Sequence, residues 1–249
     1  MNLLKYRVAQ LISSAQKTKS QNQINRRVLM YHSIDDSNTR SSDIYSISKR
    51  FFTNHVKFLS ENANLSHLRV VALDASEPTG ISITFDDGYH DTLTVAAKLL
   101  CEKNIPFTVF ATIQNMTSGK SEYLNQNQLV ELSKMPGVNI GSHGYSHAHL
   151  AELSETQVLD ELRMSKDWLE QTLSKPVTTM SYPHGSFNTH VVRMASEVGY
   201  EFAATSKWGI YKVGLNPLEI PRVDVWCYDD ERALQQKLSG KWDLIAGRI

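Results

Sequence analysis

An α/β fold built mainly from parallel strands is predicted by two features of the sequence. Strand-like and helix-like segments alternate along most of the 249 residues, as they do when crossover helices join parallel strands. Unusual polar residues also recur at the carboxyl ends of the strand-like runs, the edge where parallel α/β folds assemble their sites. Seven or eight strands favour a distorted (β/α) barrel, with an open doubly wound sheet as the alternative. No internal repeat, low-complexity tract or flexible linker breaks the chain. The expected organisation is one domain over residues 27–249, preceded by a basic helical extension over 1–26.

The elements follow in order. RVLMYHSI (27–34) reads as a strand and FFTNHVKFLSENA (51–63) as a helix. RVVAL (69–73) reads as a short strand, and GISITFDD (80–87) as a buried one. DTLTVAAKLLCEKN (91–104) is helical, with Leu93, Ala96, Ala97 and Leu100 on one stripe. PFTVFAT (106–112) and VNIGSH (138–143) are strands on either side of the helix NQLVELSKM (127–135). SETQ (154–157) has a capping-box pattern, Ser154 capping and Gln157 reaching back, and opens a helix to about Leu173. VTTMSY (177–182), EFAATS (201–206) and EIPRVDV (219–225) are further strands, with the helix HVVRMASEVG (190–199) between the first two. The tail from Asp229 reads as a polar helix.

Composition narrows the function classes. Lys plus Arg and Asp plus Glu both total 26, so the basic surface expected of a nucleic-acid binder is missing. Cys101 and Cys227 have neither metal-site nor redox spacing and read as reduced thiols. There is no apolar run of the ~18 residues that a membrane span needs, and no export-signal pattern, so the expected location is cytoplasmic. The N-terminus carries Leu4, Val8, Leu11, Ile12 and Ala15 at helical spacing, with Lys5, Arg7, Lys17 and Lys19. It reads as a helix docked on the domain or, alternatively, as one that touches a membrane surface peripherally.

Chemistry collects in a few places. Asp86 and Asp87 are adjacent where a strand stops, and Gly88 permits a turn there. In a strand, neighbours point to opposite faces, so only a turn lets both carboxylates serve one site. His143 and His147 are four residues apart beyond another strand, with His149 close by. Two imidazoles and one carboxylate make a three-ligand set that leaves a coordination position open. The second carboxylate is then free to accept a proton from water. His32 lies near the end of the first strand, and Tyr182, Pro183 and His184 follow another. Arg222, Asp224 and Trp226 share a face of the last strand.

Three motifs, TFDDG (84–88), HGYSHAHL (143–150) and YPHG (182–185), resemble those of the polysaccharide deacetylases, carbohydrate esterase family four. The resemblance covers roughly residues 27–225. It implies a distorted barrel and metal-dependent removal of acetyl groups from N-acetylated sugars. It further implies Asp86 as the catalytic base, and Asp87, His143 and His147 as ligands of a divalent metal, usually zinc. The third motif normally reads Arg-x-Pro-Tyr-Gly, but here it is Ser181-Tyr182-Pro183-His184-Gly185. The arginine is missing, and Arg222 is the candidate to replace it in orienting Asp86. The His184 backbone N–H is a candidate oxyanion donor.

The tail also lacks the family's Leu-x-His. The sequence is similar to a circularly permuted subgroup, the poly-N-acetylglucosamine deacetylases, whose acid histidine sits in an N-terminal Tyr-His motif. Tyr31-His32 fits that place, making His32 the expected general acid; the alternative is a structural histidine. Trp226 and Tyr182 are candidates to stack on a sugar, and Asp224 to orient a metal-site histidine or pair with Arg222. His55, His67, His90 and His190 read as solvated. The expected substrate is an N-acetylhexosamine glycan, glycolipid or lipid-linked precursor of a surface polysaccharide. The alternatives are a silent carbohydrate-binding relative and a hydrolase of another amide or ester.

Overall fold

In the computed structural model, which describes residues 3–15, 25–35, 43–212 and 214–245, seven parallel strands close on themselves. Helix α1 (Leu3–Ala15) comes first, then strand β1 (Asn25–Tyr31). Helix α2 (Lys49–Glu61) is capped by Ser48, as a short hydroxyl side chain does for an orphan helix N–H. It leads to β2 (Gly80–Phe85). A π-helical turn (Thr92–Ala97) runs into α3 (Lys98–Glu102) and then β3 (Phe107–Ala111). Helix α4 (Gln126–Ser133) precedes β4 (Val138–Ser142). Helix α5 (Glu155–Leu173) opens on the capping box of Ser154 and Gln157 and precedes β5 (Thr179–Ser181). Helix α6 (Thr189–Val198), β6 (Phe202–Trp208), β7 (Ile220–Asp224) and α7 (Glu231–Leu238) complete the order.

Each strand pairs with the next in sequence, and β7 pairs with β1 through Leu29–Val223 and Met30–Asp224. The expected (β/α) barrel is therefore present. Tyr211–Lys212 adds one short antiparallel strand beside β1. Strand residues Val28, Leu29, Ile81, Ile83, Phe85, Phe107, Val109 and Ile140 are all buried, as near-continuous apolar runs must be when both faces of a parallel sheet are covered.

Several local expectations change. The run 27–34 is interrupted at His32, and Ser33–Ile34 pairs with Ser46–Ile47 in a separate small sheet. The run 69–73 forms only an isolated bridge, Val70 to Ile81. Arg26 donates to the carbonyls of Ala72 and Leu73 in that stretch, so side-chain bonds take the place of a longer ladder. His55 is fully buried rather than solvated, with Nδ1 3.0 Å from the Tyr31 hydroxyl. Lys17 and Lys19 lie outside the described residues.

The N-terminal extension docks, but not by its aliphatic stripe. Tyr6, Ala9 and Ser13 are the buried residues of α1. Tyr6 packs among Trp226, Tyr228 and Trp242, and its hydroxyl donates to Asp229 at 2.8 Å. Asp229 also accepts from the buried Lys237 ammonium at 2.5 Å.

Gly141 on β4 is closely packed near the mouth. A Cβ there would meet the Phe110 ring and the Thr179 hydroxyl, both at 2.6 Å. Gly141→Ala should therefore lower stability by about 1–3 kcal/mol, read as a shift in the denaturant midpoint at unchanged slope.

Candidate metal and acid–base centre

The strand ends deliver most of the predicted residues to one cleft of about 380 Å³, whose lining includes His32, Asp86, Asp87, His143, His147 and Arg222 but not Pro183, Asp224 or Trp226. A cleft of about 470 Å³ opens before the strands begin, around Arg69, Lys103 and Pro106. None of the converging metal donors is there.

The turn after β2 answers the problem of adjacent acids. Asp86 keeps the strand's inward direction, while Asp87 (φ 72°) and Gly88 (φ 74°) are left-handed. A non-glycine residue rarely occupies that region, and here it turns the second carboxylate onto the same site as the first. Asp87 Oδ1 lies 3.4 Å from His143 Nε2 and 3.2 Å from His147 Nε2. The three donor atoms all fall within 4.8 Å of one another.

The donor set fits a divalent cation. The His143 Nδ1 is 2.9 Å from the Ser181 carbonyl. A carbonyl only accepts, so Nδ1 carries the proton and Nε2 presents its lone pair to the cluster. Asp87 Oδ1 is buried and lacks a geometrically sound hydrogen bond despite the two nearby imidazoles. Burial alone would raise the Asp87 carboxyl, but His143 and His147 hold it well below the usual carboxylate range. Burial would depress His143, yet Asp86 and Asp87 raise it. The pocket thus favours positive charge between these groups.

Asp86 is held differently. Arg222 on β7 donates to both of its oxygens, each at 2.7 Å, a bidentate geometry suited to guanidinium and carboxylate. The same side chain donates to Thr205 O, Thr84 Oγ1 and Ser181 Oγ. Burial pushes the Asp86 carboxyl upward, but Arg222 and His143 outweigh it and hold it below the usual range. Asp86 is thus held by an arginine from another strand, although the third motif carries none.

The remaining candidates separate. His32 lines the cleft, with its ring 4.5 Å from that of Tyr45, and its buried Nδ1 has no hydrogen-bond partner. His184 is exposed and left-handed (φ 55°). It stacks on His149 at 4.0 Å, and burial with His147 and His149 nearby lowers its pKa. Pro183 is buried beneath the turn.

Three expectations are corrected. Tyr182 is buried, stacked on Phe187, with its hydroxyl donating to Leu218 O, so its ring cannot receive a sugar. Trp226, only 5% exposed, packs with Tyr6 and Trp242 and lies under the Lys237 ammonium at 3.7 Å. Asp224 neither orients His143, whose partner is Ser181 O, nor pairs with Arg222, whose five N–H groups are committed elsewhere. Burial raises its carboxyl above the ordinary value, against the pull of Lys237 and Arg222.

Two positioning residues escape the sequence reading. Ser181 accepts from Arg222 and donates to Asp86 at 3.3 Å. Glu161 on α5 accepts from Tyr145 N and Ser146 N, both at 2.9 Å, and from Ser146 Oγ at 2.5 Å. It thereby anchors the loop that carries both histidines, including the left-handed His147 (φ 65°). A glutamate on a long amphipathic helix gives no sequence signal for this role.

The chain belongs to the polysaccharide deacetylase family, whose model matches residues 74–203. YxkH of Bacillus subtilis (strain 168), provisionally named a polysaccharide deacetylase, is 28% identical over 188 residues, covering 73% of this chain and 64% of that protein. The chain thus matches less than two thirds of that relative's length. Among solved structures, the Streptococcus pyogenes deacetylase PplD superposes with a TM-score of 0.75 at 19% identity, covering 87% of this chain and 99% of that one. A polysaccharide deacetylase from Bacillus cereus gives a TM-score of 0.75 at 24% identity, covering 86% and 69% respectively. These two likenesses bear on the fold.

Removing the Glu161 carboxylate should loosen the histidine loop without touching a ligand. Glu161→Ala should weaken zinc affinity about 10- to 100-fold, as measured by calorimetric titration of the metal-stripped protein.

Proposed function

We propose that the protein is a metal-dependent deacetylase that hydrolyses the N-acetyl group of N-acetylhexosamine residues in a glycan or lipid-linked polysaccharide precursor. Surface polysaccharide biosynthesis is the matching role. The observation that carries this reading is the convergence of Asp87, His143 and His147 beside an arginine-clamped second carboxylate, Asp86.

Asp87, His143 and His147 would hold the cation, and zinc suits one carboxylate and two imidazoles. When bound, the cation supplies Lewis acidity, polarising the acetyl carbonyl and acidifying water. Asp86 accepts the proton of the attacking water, and Arg222 keeps it ionised for that task. The His184 backbone N–H is the candidate donor to the developing oxyanion, a contribution of order 3 kcal/mol for one donor. His32, when protonated, gives its proton to the leaving amine, a poor leaving group otherwise. What supports the acid over a structural role is that His32 lines the cleft and its buried Nδ1 makes no hydrogen bond.

Acetate release from chitooligosaccharides, measured together with bound metal, tests the reading. His32→Ala should cut turnover by about a hundredfold or more while metal content stays unchanged. Loss of metal would instead make His32 a ligand or a structural residue. Folded protein with bound zinc and no acetate release from a panel of acetylated glycans would favour a silent binder.

The pH dependence has a definite sign. The Asp86 carboxyl is depressed, so the base stays ionised until pH falls below the ordinary carboxylate range. In Arg222→Met burial would lose its main opponent, with only His143 and His32 left to offset it, and that carboxyl would rise. The acidic limb of kcat/KM should therefore move to higher pH in Arg222→Met, together with a loss of rate.

A further inference from the structure

Helix α1 is amphipathic in an inverted sense. Its small and polar-tipped side, Tyr6, Ala9 and Ser13, faces the protein, and its aliphatic side faces out. Leu4 and Leu11 are each 72% exposed, with Leu3, Val8 and Ile12 between 42% and 50%. Among the described residues, most of the large exposed hydrophobic side chains lie on this one helix. With about 100° between successive residues, Leu4, Val8, Leu11 and Ala15 form a stripe opposite the docked side. Lys5 and Arg7, both exposed, fall on its two borders.

Charge selects the occupant of this face. No Asp or Glu occurs before Asp35, although the whole chain is electrically balanced. An aliphatic stripe bordered by cations suits an interface that is apolar within and anionic at its surface. Among the described residues no helix is long and apolar enough to cross a membrane, so the fitting mode is a helix lying in the interface plane.

We propose that α1 is a docking helix for an anionic lipid bilayer, inserting Leu4, Val8 and Leu11 between headgroups that Lys5 and Arg7 contact. The docking also has a direction. Tyr6 packs on Trp226 and Tyr228, just beyond the carboxyl end of β7. Tyr45 packs against the same aromatic cluster, lies against the His32 ring at a tilt and lines the cleft. The helix therefore sits at the mouth end of the barrel, and a bilayer bound there lies on the side where the cleft opens. This inference stands on α1 alone and does not depend on the deacetylase reading.

Sedimentation of the full chain with sucrose-loaded vesicles tests it. Vesicles with about one third phosphatidylglycerol should bind at least about tenfold more protein than phosphatidylcholine alone at low salt. Leu4→Gln/Leu11→Gln and Lys5→Gln/Arg7→Gln should each lose most of that binding while the unfolding midpoint is retained. The proposal is overturned if the native chain ignores anionic vesicles, or if both double variants bind as the native chain does. A homodimer dispersed by Leu4→Gln/Leu11→Gln would also overturn it, assigning the face to a second copy. Acetate release from a soluble oligosaccharide, assayed in parallel, reports on the catalytic reading separately.

Discussion

The Arg222–Asp86 pair is the contact on which the rest of the mouth depends. Both partners are almost completely buried, and an ion pair out of water is tolerable only when its remaining hydrogen-bonding groups are met. Here they are: the guanidinium on β7 reaches Thr84 and Asp86 at the end of β2, Ser181 on β5 and Thr205 on β6. Thr84 in turn donates to Leu29 O on β1. This one side chain links four strands across the barrel interior and, through Thr84, a fifth. Removing one partner of such a pair typically costs 3–5 kcal/mol, because the other is left charged and unmatched. The carboxylate beside the Asp87, His143 and His147 cluster is held by the group that also holds the barrel's rim together.

Beyond that clasp, the site rests on unusual backbone. Of the non-glycine residues with positive φ, three are Asp87, His147 and His184, all at the mouth. Such conformations persist only where surrounding bonds over-determine them. Glu161 supplies that for the loop of His147, and the 2.9 Å contact from Gly185 N to Tyr182 O closes the turn of His184. The acid pair and the histidine pair are thus each brought to the centre by a local departure from regular structure at the end of a regular strand.

How much of this was legible in the sequence follows from the same physics. Alternating buried strands and capped helices are local properties, so the barrel and most of its elements were readable. The cluster of Asp87, His143 and His147 was also readable, because Asp86-Asp87-Gly88 and His143-x-x-x-His147 put their chemistry within a few residues. Arg222 could be proposed only because a familiar arginine was missing and an unexplained one lay at another strand end. Ser181 and Glu161 were not readable, since ordinary residues acquire their roles through partners far away in the chain. Trp226 and Tyr182 misled because an aromatic ring at a strand end has the same spacing whether it meets sugar or core. The run at 69–73 misled similarly: its apolar pattern is real, but Arg26 claims the carbonyls that a ladder would need.

The docking of Tyr6 bears on how the protein can be handled. Its hydroxyl satisfies one oxygen of Asp229, while Lys237 satisfies the other and also donates to the backbone of Asp224 beside the cleft. A form trimmed to begin at the first barrel strand would strip the lid from Trp226 and Trp242 and leave a sequestered acid one donor short. Such a preparation invites clumping and a slack rim, and poor activity measured on it would say little about the chemistry of the intact chain.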